Sequence, residues 1–382
     1  MKNVIYFDHA ATSYPKPQSV INAVSRAFTQ RGGNPGRSGH KLSLAAAEGI
    51  FECREAVADL FSFEHAERVV FTLNTTHALN MAIKGLVKPD SHVLTSNLEH
   101  NSVIRPLYDL LKNSNKNIRY SSFSAACDDD SVIIQNFTDS LREDTKLAVI
   151  TLASNICGKI IPIAEIGKIC HEKGILLIAD GAQACGVLPL DFTQMNVDVL
   201  CFPGHKGLYG PQGTGIMLLG EGIEPESTIQ GGNGVNSKDP EMNGELPERL
   251  EPGTVNTVGI CGLRAGIDAI KKIGIEEIYQ HSSELCTYLT QEMKNIKGIT
   301  LYGDFKKKVP VILFNKEEFE PEETAMRLDE KGICVRSGLH CAPIAHLALK
   351  SGPSGAVRIS LSHTNTRQEA DYALEVLSSL KR

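Results

Sequence analysis

Phe202-Pro203-Gly204-His205-Lys206-Gly207-Leu208-Tyr209-Gly210-Pro211 sets one lysine among glycines, directly after the apolar run Val197-Asp198-Val199-Leu200-Cys201-Phe202. An amine that must meet an aldehyde in a confined space is helped by flanking glycines, because a Cβ there would obstruct the approach of the backbone. Upstream, a second apolar run, Gly174-Ile175-Leu176-Leu177-Ile178-Ala179, ends at Asp180-Gly181-Ala182-Gln183. An aspartate at a strand end is ordinarily a turn former or helix cap, and most lysines are solvated. A carboxylate and a lysine on consecutive strand ends in an α/β sheet have a sharper meaning, since ligands bind at the carboxyl ends of such strands. The pair matches pyridoxal phosphate, which acts as an electron sink when a carboxylate keeps its ring nitrogen protonated and a lysine meets its aldehyde.

Working outward, Arg68-Val69-Val70-Phe71-Thr72, His92-Val93-Leu94-Thr95-Ser96 and Leu147-Ala148-Val149-Ile150-Thr151 read as short strands alternating with helical periodicity. That alternation predicts βα units and a mostly parallel sheet. Residues 222–258, rich in Gly, Pro, Asn and Glu, read as an extended loop excursion, and long loops in compact domains are usually functional. A helical pattern from Gly259 to Lys297, broken near Gly274, leads into a smaller α+β region that continues to Arg382.

Three further segments carry chemistry. Asn74-Thr75-Thr76-His77 follows a strand and opens an apolar helical pattern, so Thr75 and Thr76 are placed either as plain caps or as part of a phosphate cradle at a helix N-terminus. Ala356-Val357-Arg358-Ile359-Ser360-Leu361 alternates, aiming Arg358 to the face opposite Val357 and Ile359. There it is a solvent-facing strand arginine or a bidentate clamp for a carboxylate. Cys341 lies in Gly338-Leu339-His340-Cys341-Ala342-Pro343, a polar, Gly- and Pro-bounded loop where a thiol can be exposed, whereas Cys53, Cys170, Cys201, Cys261 and Cys286 read as small buried hydrophobes. His340, Cys341 and His346 lack the paired spacing of a zinc site.

The 382 residues, 42% hydrophobic and 22% charged with a net charge of −6, suit one large soluble enzyme and show no basic tail or stripe for nucleic acid. No apolar run approaches the roughly 20 residues needed to span a bilayer, and Met1 to Asp8 turns polar too soon for a signal peptide, so a cytoplasmic protein is expected. The ten cysteines are scattered and form no C-x-x-C pair, which fits a reducing compartment.

Tyr6-Phe7-Asp8-His9-Ala10-Ala11-Thr12, Ala179-Asp180-Gly181-Ala182-Gln183, Gly204-His205-Lys206, Glu251-Pro252-Gly253-Thr254 and Arg336-Ser337-Gly338-Leu339-His340-Cys341 occur in that order. With them the chain resembles the cysteine desulfurases and selenocysteine lyases of the class V aminotransferase family, from about residue 5 to the C-terminal helix. The resemblance implies the fold type I of pyridoxal-phosphate enzymes. Its large domain (16–262) has a mostly parallel seven-stranded sheet flanked by helices, and its smaller α+β domain (1–15 and 263–382) carries the cysteine loop.

The resemblance further implies Lys206, Cys341 and His100 as catalytic residues, with His100 stacked on the cofactor ring. Asp180, Gln183, Thr75, Thr76, His205, Asn155 and Thr254 would bind the cofactor, Thr254 reaching the phosphate of a partner subunit in a homodimer. Arg358, Asn155, His40 and Ala11 would meet the substrate, and Arg336 would support the cysteine loop. The implied reaction removes sulfur from L-cysteine, or selenium from L-selenocysteine, leaving alanine: Lys206 takes the Cα proton and the Cys341 thiolate attacks the substrate sulfur, which passes on to a sulfur-acceptor protein. Two positions depart from the common pattern. Pro203 stands where a serine often helps to hold phosphate, and Asn101 where some relatives have a second histidine. The same lysine and aspartate also serve aminotransferases, epimerases and other lyases, and Cys341 is what separates the desulfurase reading from these.

Overall fold

The computed structural model describes residues 4–36, 39–234, 238–242 and 244–381; Met1 to Asn3 of the N-terminal segment and four positions of the 222–258 excursion lie outside it. Its centre is a seven-stranded sheet in the order Val69–Thr72, Gly215–Leu219, Val199–Pro203, Leu176–Asp180, Thr145–Thr151, His92–Ser96, Arg119–Phe123. Gly215–Leu219 runs antiparallel to both neighbours; the other pairings are parallel. Helices cover both faces, so Val199–Pro203 and Gly215–Leu219 are buried at every residue, which is why they read as continuous apolar runs and not as alternating ones.

The antiparallel strand has a local cause. After Pro203 the chain does not enter a crossover helix but loops through Lys206 and returns as Gly215–Leu219, with Gly204 N–H donating to Thr214 O at 2.9 Å. Lys206 therefore sits in the connection between two paired strands. Its flanking glycines serve close approach within the chain: a Cβ on Gly204 would lie 2.3 Å from Thr214 Oγ1, and one on Gly207 2.3 Å from Cys185 O.

The described residues of the excursion are mostly irregular, with one short 3-10 turn at Glu248–Leu250. The helix after it begins at Thr257, two residues ahead of the expected start, because the Asn256 side chain caps it by accepting from Gly259 N–H at 2.9 Å. It ends at Ile273, where Gly274 adopts φ +97°, and a second helix, Ile275–Met293, follows. Beyond it, Arg336–Gly338, Ala356–Ser360, Val311–Lys316 and Ile299–Tyr302 form an antiparallel sheet in that order, and Ile5–Tyr6 pairs in parallel with Ile333–Cys334. Among the described residues no helix is long and apolar enough to cross a membrane.

Candidate active site

The carboxyl ends of five strands of the large sheet converge on one cavity of about 100 Å³, lined by Thr75, Thr76, His100, Ser102, Asn155, Asp180, Gln183, His205 and Lys206 among others. Eight residues expected from the sequence are thus brought together by topology: Asp180 ends one strand, Lys206 and His205 follow the next, and Asn155 follows Thr145–Thr151. Thr75 and Thr76 open the helix Thr75–Leu86, whose cap Asn74 accepts from His77 N–H at 3.0 Å. The N–H groups of such a first turn have no partner within the helix and favour an anion.

Lys206 is half-buried. Removal from water pushes its amine down to about 8, Arg358 and Arg336 push the same way, and Asp180 opposes them. A much larger fraction of the amine is then uncharged near neutral pH than in an exposed lysine. Asp180, 3% exposed, accepts from Ala182 N–H at 2.9 Å, and burial raises its carboxyl above the usual range. A buried carboxylate in that position gains from a cationic neighbour such as a pyridinium.

His100 caps the helix Asn101–Asn113. Its Nδ1 accepts from Ser102 N–H at 3.0 Å and lies 2.7 Å from Ser102 Oγ, which in turn lies 2.8 Å from Thr76 Oγ1. Because a backbone N–H can only donate, Nδ1 is unprotonated and the ring proton is on Nε2. Burial, then Lys206 and the neighbouring arginines, push the imidazole down to about 4. His100 is therefore a neutral hydrogen-bond donor at Nε2 near neutral pH.

Arg358 is 1% exposed, so it is not a solvent-facing strand arginine; both faces of its strand are buried. Nη2 pairs with Asp8 Oδ1 at 2.6 Å, Nη1 donates to Asn155 O at 3.0 Å, and Nε is buried without a partner. Gln183 donates to Ala10 O at 3.0 Å. Cys341 is exposed and shares a second groove, of about 310 Å³, with Thr76, His100 and Ser102 of the main cavity. Its loop is tied to the site through Asn101 N–H to Cys341 O (2.7 Å) and Asn155 Nδ2 to His340 O (2.9 Å). A backbone amide thus does the holding at Asn101, and its side chain takes no part in this contact.

Besides Arg358, Arg336 and Cys341, three more expected residues lie outside the cavity lining of this chain. Thr254 is exposed with Oγ1 3.4 Å from Asn34 Oδ1; His40 is exposed and caps Lys41–Leu60 by accepting from Ser43 N–H; Ala11 donates its N–H to Asp8 O at 3.0 Å. Others were missed. The His205 carbonyl accepts from Thr12 Oγ1, Ser13 N–H, Ser13 Oγ and Lys16 Nζ at 2.8–3.2 Å, so the N-terminal segment fixes the peptide that precedes Lys206. Clustered donors in Thr12-Ser13-Tyr14-Pro15-Lys16 were visible in the sequence, but not their target.

Glu99 was also missed. It is fully buried; Oε1 takes Ser96 Oγ at 2.5 Å and Thr151 N–H at 2.9 Å, Oε2 has no partner, and desolvation raises the carboxyl to about 8. A folded-state pKa above the unfolded one means that its contribution to stability is full below about 4.5 and is lost as pH rises to about 8. Glu99→Gln keeps an acceptor for Ser96 and Thr151 but cannot ionise. Its urea stability relative to wild type is expected to improve by about 1.4 kcal/mol per pH unit across that window, and a pH-independent difference would refute the buried, protonated state.

A family model described as Aminotransferase class-V matches residues 5–373. This chain belongs to the class-V aminotransferase family. Among its relatives is a probable cysteine desulfurase of Methanothermobacter thermautotrophicus, 34% identical, covering 100% of this chain and 95% of that protein. Another, from Pyrococcus abyssi, is 34% identical over 99% of this chain and 94% of its own length. The solved apo structure of a cysteine desulfurase from Thermococcus onnurineus superposes with a TM-score of 0.90 at 31% identity, covering 98% of this chain and 94% of that one. Family members depend on pyridoxal phosphate, and in this class-V chain the residues present fit that group: a buried acid opposite a lysine of lowered pKa, with a helix N-terminus on the same cavity.

Proposed function

We propose that this protein is a pyridoxal-phosphate-dependent cysteine desulfurase that converts L-cysteine to L-alanine and takes the sulfur on Cys341, and that it also accepts L-selenocysteine. The observation that carries this reading is an exposed thiol held beside His100 by Asn101 N–H to Cys341 O at 2.7 Å. A metabolic aminotransferase has no use for such a thiol.

Pyridoxal phosphate, when bound, supplies a sink for the electrons left at the substrate Cα. Lys206 holds the group through Nζ and, when its amine is free, removes the Cα proton there. Asp180 keeps the ring nitrogen protonated, Gln183 and Asn155 stand at the cavity wall, and Thr75, Thr76 and His205 hold phosphate with the helix N-terminus. His100, which lines the cavity with its proton on Nε2, would lie beside the group. Arg358 receives the substrate carboxylate, a reading supported by its unpartnered Nε, whereas His40 and Ala11 lie outside the cavity lining of this chain. The Cys341 thiolate attacks the substrate sulfur: an S–S bond forms, the C–S bond breaks, and its electron pair stays with the carbon fragment, which is protonated to alanine. The resulting persulfide faces the groove lined by Asn80, Lys84, Arg105 and Asp109, from which a sulfur-acceptor protein collects it.

The same reading makes the working form a homodimer. It is supported by Ile21, Phe28, Leu42, Leu44 and Phe51, which are 52–69% exposed on the helices Gln18–Gln30 and Lys41–Leu60, and by Thr254, which is exposed and outside its own chain's cavity lining. Sedimentation is expected to give twice the chain mass, and a fully active monomer would exclude a shared site. The proposed division into units 16–262 and 1–15 with 263–382 is supported by Phe7, which packs in the C-terminal cluster with Leu289, Phe314 and Ile359. Ten free cysteines suit the cytoplasm, where thiols stay reduced. The direct test is to assay sulfide, selenide and alanine from L-cysteine and L-selenocysteine. Amino transfer that requires an α-keto acid, with no sulfur release, would replace this reading with the aminotransferase one.

A further inference from the structure

We propose that His340 and His346 are positioning residues for Cys341: a one-way hydrogen-bond chain from Ser351 through both imidazoles to the Arg336 carbonyl latches the loop that presents the thiol. The proposal rests on the reading of Cys341 as sulfur acceptor. It starts from backbone conformation. His340 and Cys341 have φ +49° and +56°, two successive side-chain-bearing residues in the left-handed region. Each costs on the order of 1 kcal/mol or more, so the pair persists only if its surroundings hold it.

The restraint comes from two sides. On the cavity side, Asn155 Nδ2 and Asn101 N–H take the carbonyls of His340 and Cys341. On the other, the His340 ring is 4% exposed and lies against His346, 2% exposed, with ring centroids 5.5 Å apart and planes 16° from parallel. The tautomers follow from the end of the chain. Arg336 O can only accept, so His340 Nε2 (3.1 Å) carries the proton and Nδ1 is bare. His346 Nε2, 3.2 Å away, must then donate to that Nδ1, which leaves His346 Nδ1 to accept from Ser351 Oγ at 2.6 Å. Every link has one direction. A chain that terminates on a carbonyl carries no proton onward, so the pair acts as a latch and not as an acid or base. Burial supports this by holding both rings neutral, at about 3 and about 4. Arg336 is also the residue paired across the sheet with Arg358, so the latch ties the thiol loop to the strand that carries the proposed carboxylate anchor.

The test compares His346→Leu, which removes donor and acceptor, with His346→Gln, whose amide nitrogen replaces Nε2, and with Ser351→Ala. In the holoenzyme, His346→Leu is expected to lower kcat for alanine formation from L-cysteine by about tenfold to a hundredfold with KM within about twofold, and His346→Gln to recover most of it. Amide exchange at Asn101 and Ala342, whose N–H groups bond Cys341 O and Leu339 O, is expected to rise about tenfold in His346→Leu and to return in His346→Gln. Should His346→Leu not fold, Ser351→Ala is expected to show the same exchange pattern in weaker form. Equal loss of kcat in the Gln and Leu variants, or unchanged exchange at Asn101 and Ala342 in the Leu or Ser351→Ala variants, overturns the latch. Failure of the underlying reading shows separately, as full desulfuration by Cys341→Ala with the exchange pattern intact.

Discussion

Replacing Lys206 with alanine is expected to lower kcat for desulfuration of L-cysteine by about a thousandfold or more, because one side chain supplies both the covalent hold on the cofactor and the base at Cα. Borohydride reduction of the holoenzyme followed by peptide mapping is expected to place the pyridoxyl group on Lys206. Among the other lysines withdrawn from solvent, Lys16 and Lys159 are already committed, Lys16 Nζ to Ser13 Oγ and His205 O and Lys159 Nζ to Asp130 Oδ1 at 3.0 Å. A label on either would overturn the assignment. The lowered pKa adds a second measurement. In the apoprotein, the rate of reaction with pyridoxal phosphate is expected to rise with pH and reach half its plateau near 8, where the amine loses its proton, and not near the ordinary 10.5.

Cys341→Ala is expected to retain cofactor and its spectral response to L-alanine but to lose sulfur release from L-cysteine by about a thousandfold. Release of selenide from L-selenocysteine is expected to suffer less, since a selenol is more acidic than a thiol and leaves more readily. Mass spectrometry after brief exposure of the wild type to L-cysteine, without reductant, is expected to find one added sulfur on the peptide containing Cys341. The competing thiols are poorly placed: Cys157 and Cys185 are buried, and desolvation raises both above the normal thiol range. Sulfur found only on these, or wild-type desulfuration by Cys341→Ala, would falsify the sulfur-transfer step.

Much of the site was legible because its signals are local. Asp180 and Lys206 each terminate a buried apolar run, Thr75 and Thr76 open a helix, and Cys341 stands in a polar loop between glycine and proline. A strand end, a helix start and a loop are each encoded within a few residues, and the α/β rule that ligands lie at strand carboxyl ends then places them in one cavity. The antiparallel strand Gly215–Leu219 escaped that logic, since an apolar run carries no mark of its direction.

The amino-acid sequence by itself determined the sheet class, the lysine and acid pair, the family and the exposed thiol. Tertiary structure alone decided which charges meet and which protons are where. Asp8 and Arg358 stand 350 positions apart, as do Ala10 N–H and Ser360 Oγ, and no periodicity within either segment specifies the other. The clamp of Thr12, Ser13 and Lys16 on the His205 carbonyl spans 189 to 193 positions. The neutral Nε2–H form of His100 and the one-way chain through His340 and His346 depend on burial and on the direction of each partner's hydrogen bond. Those are properties of three-dimensional packing: desolvation and hydrogen-bond geometry act between groups that chain folding brings together, and they leave no local pattern to read.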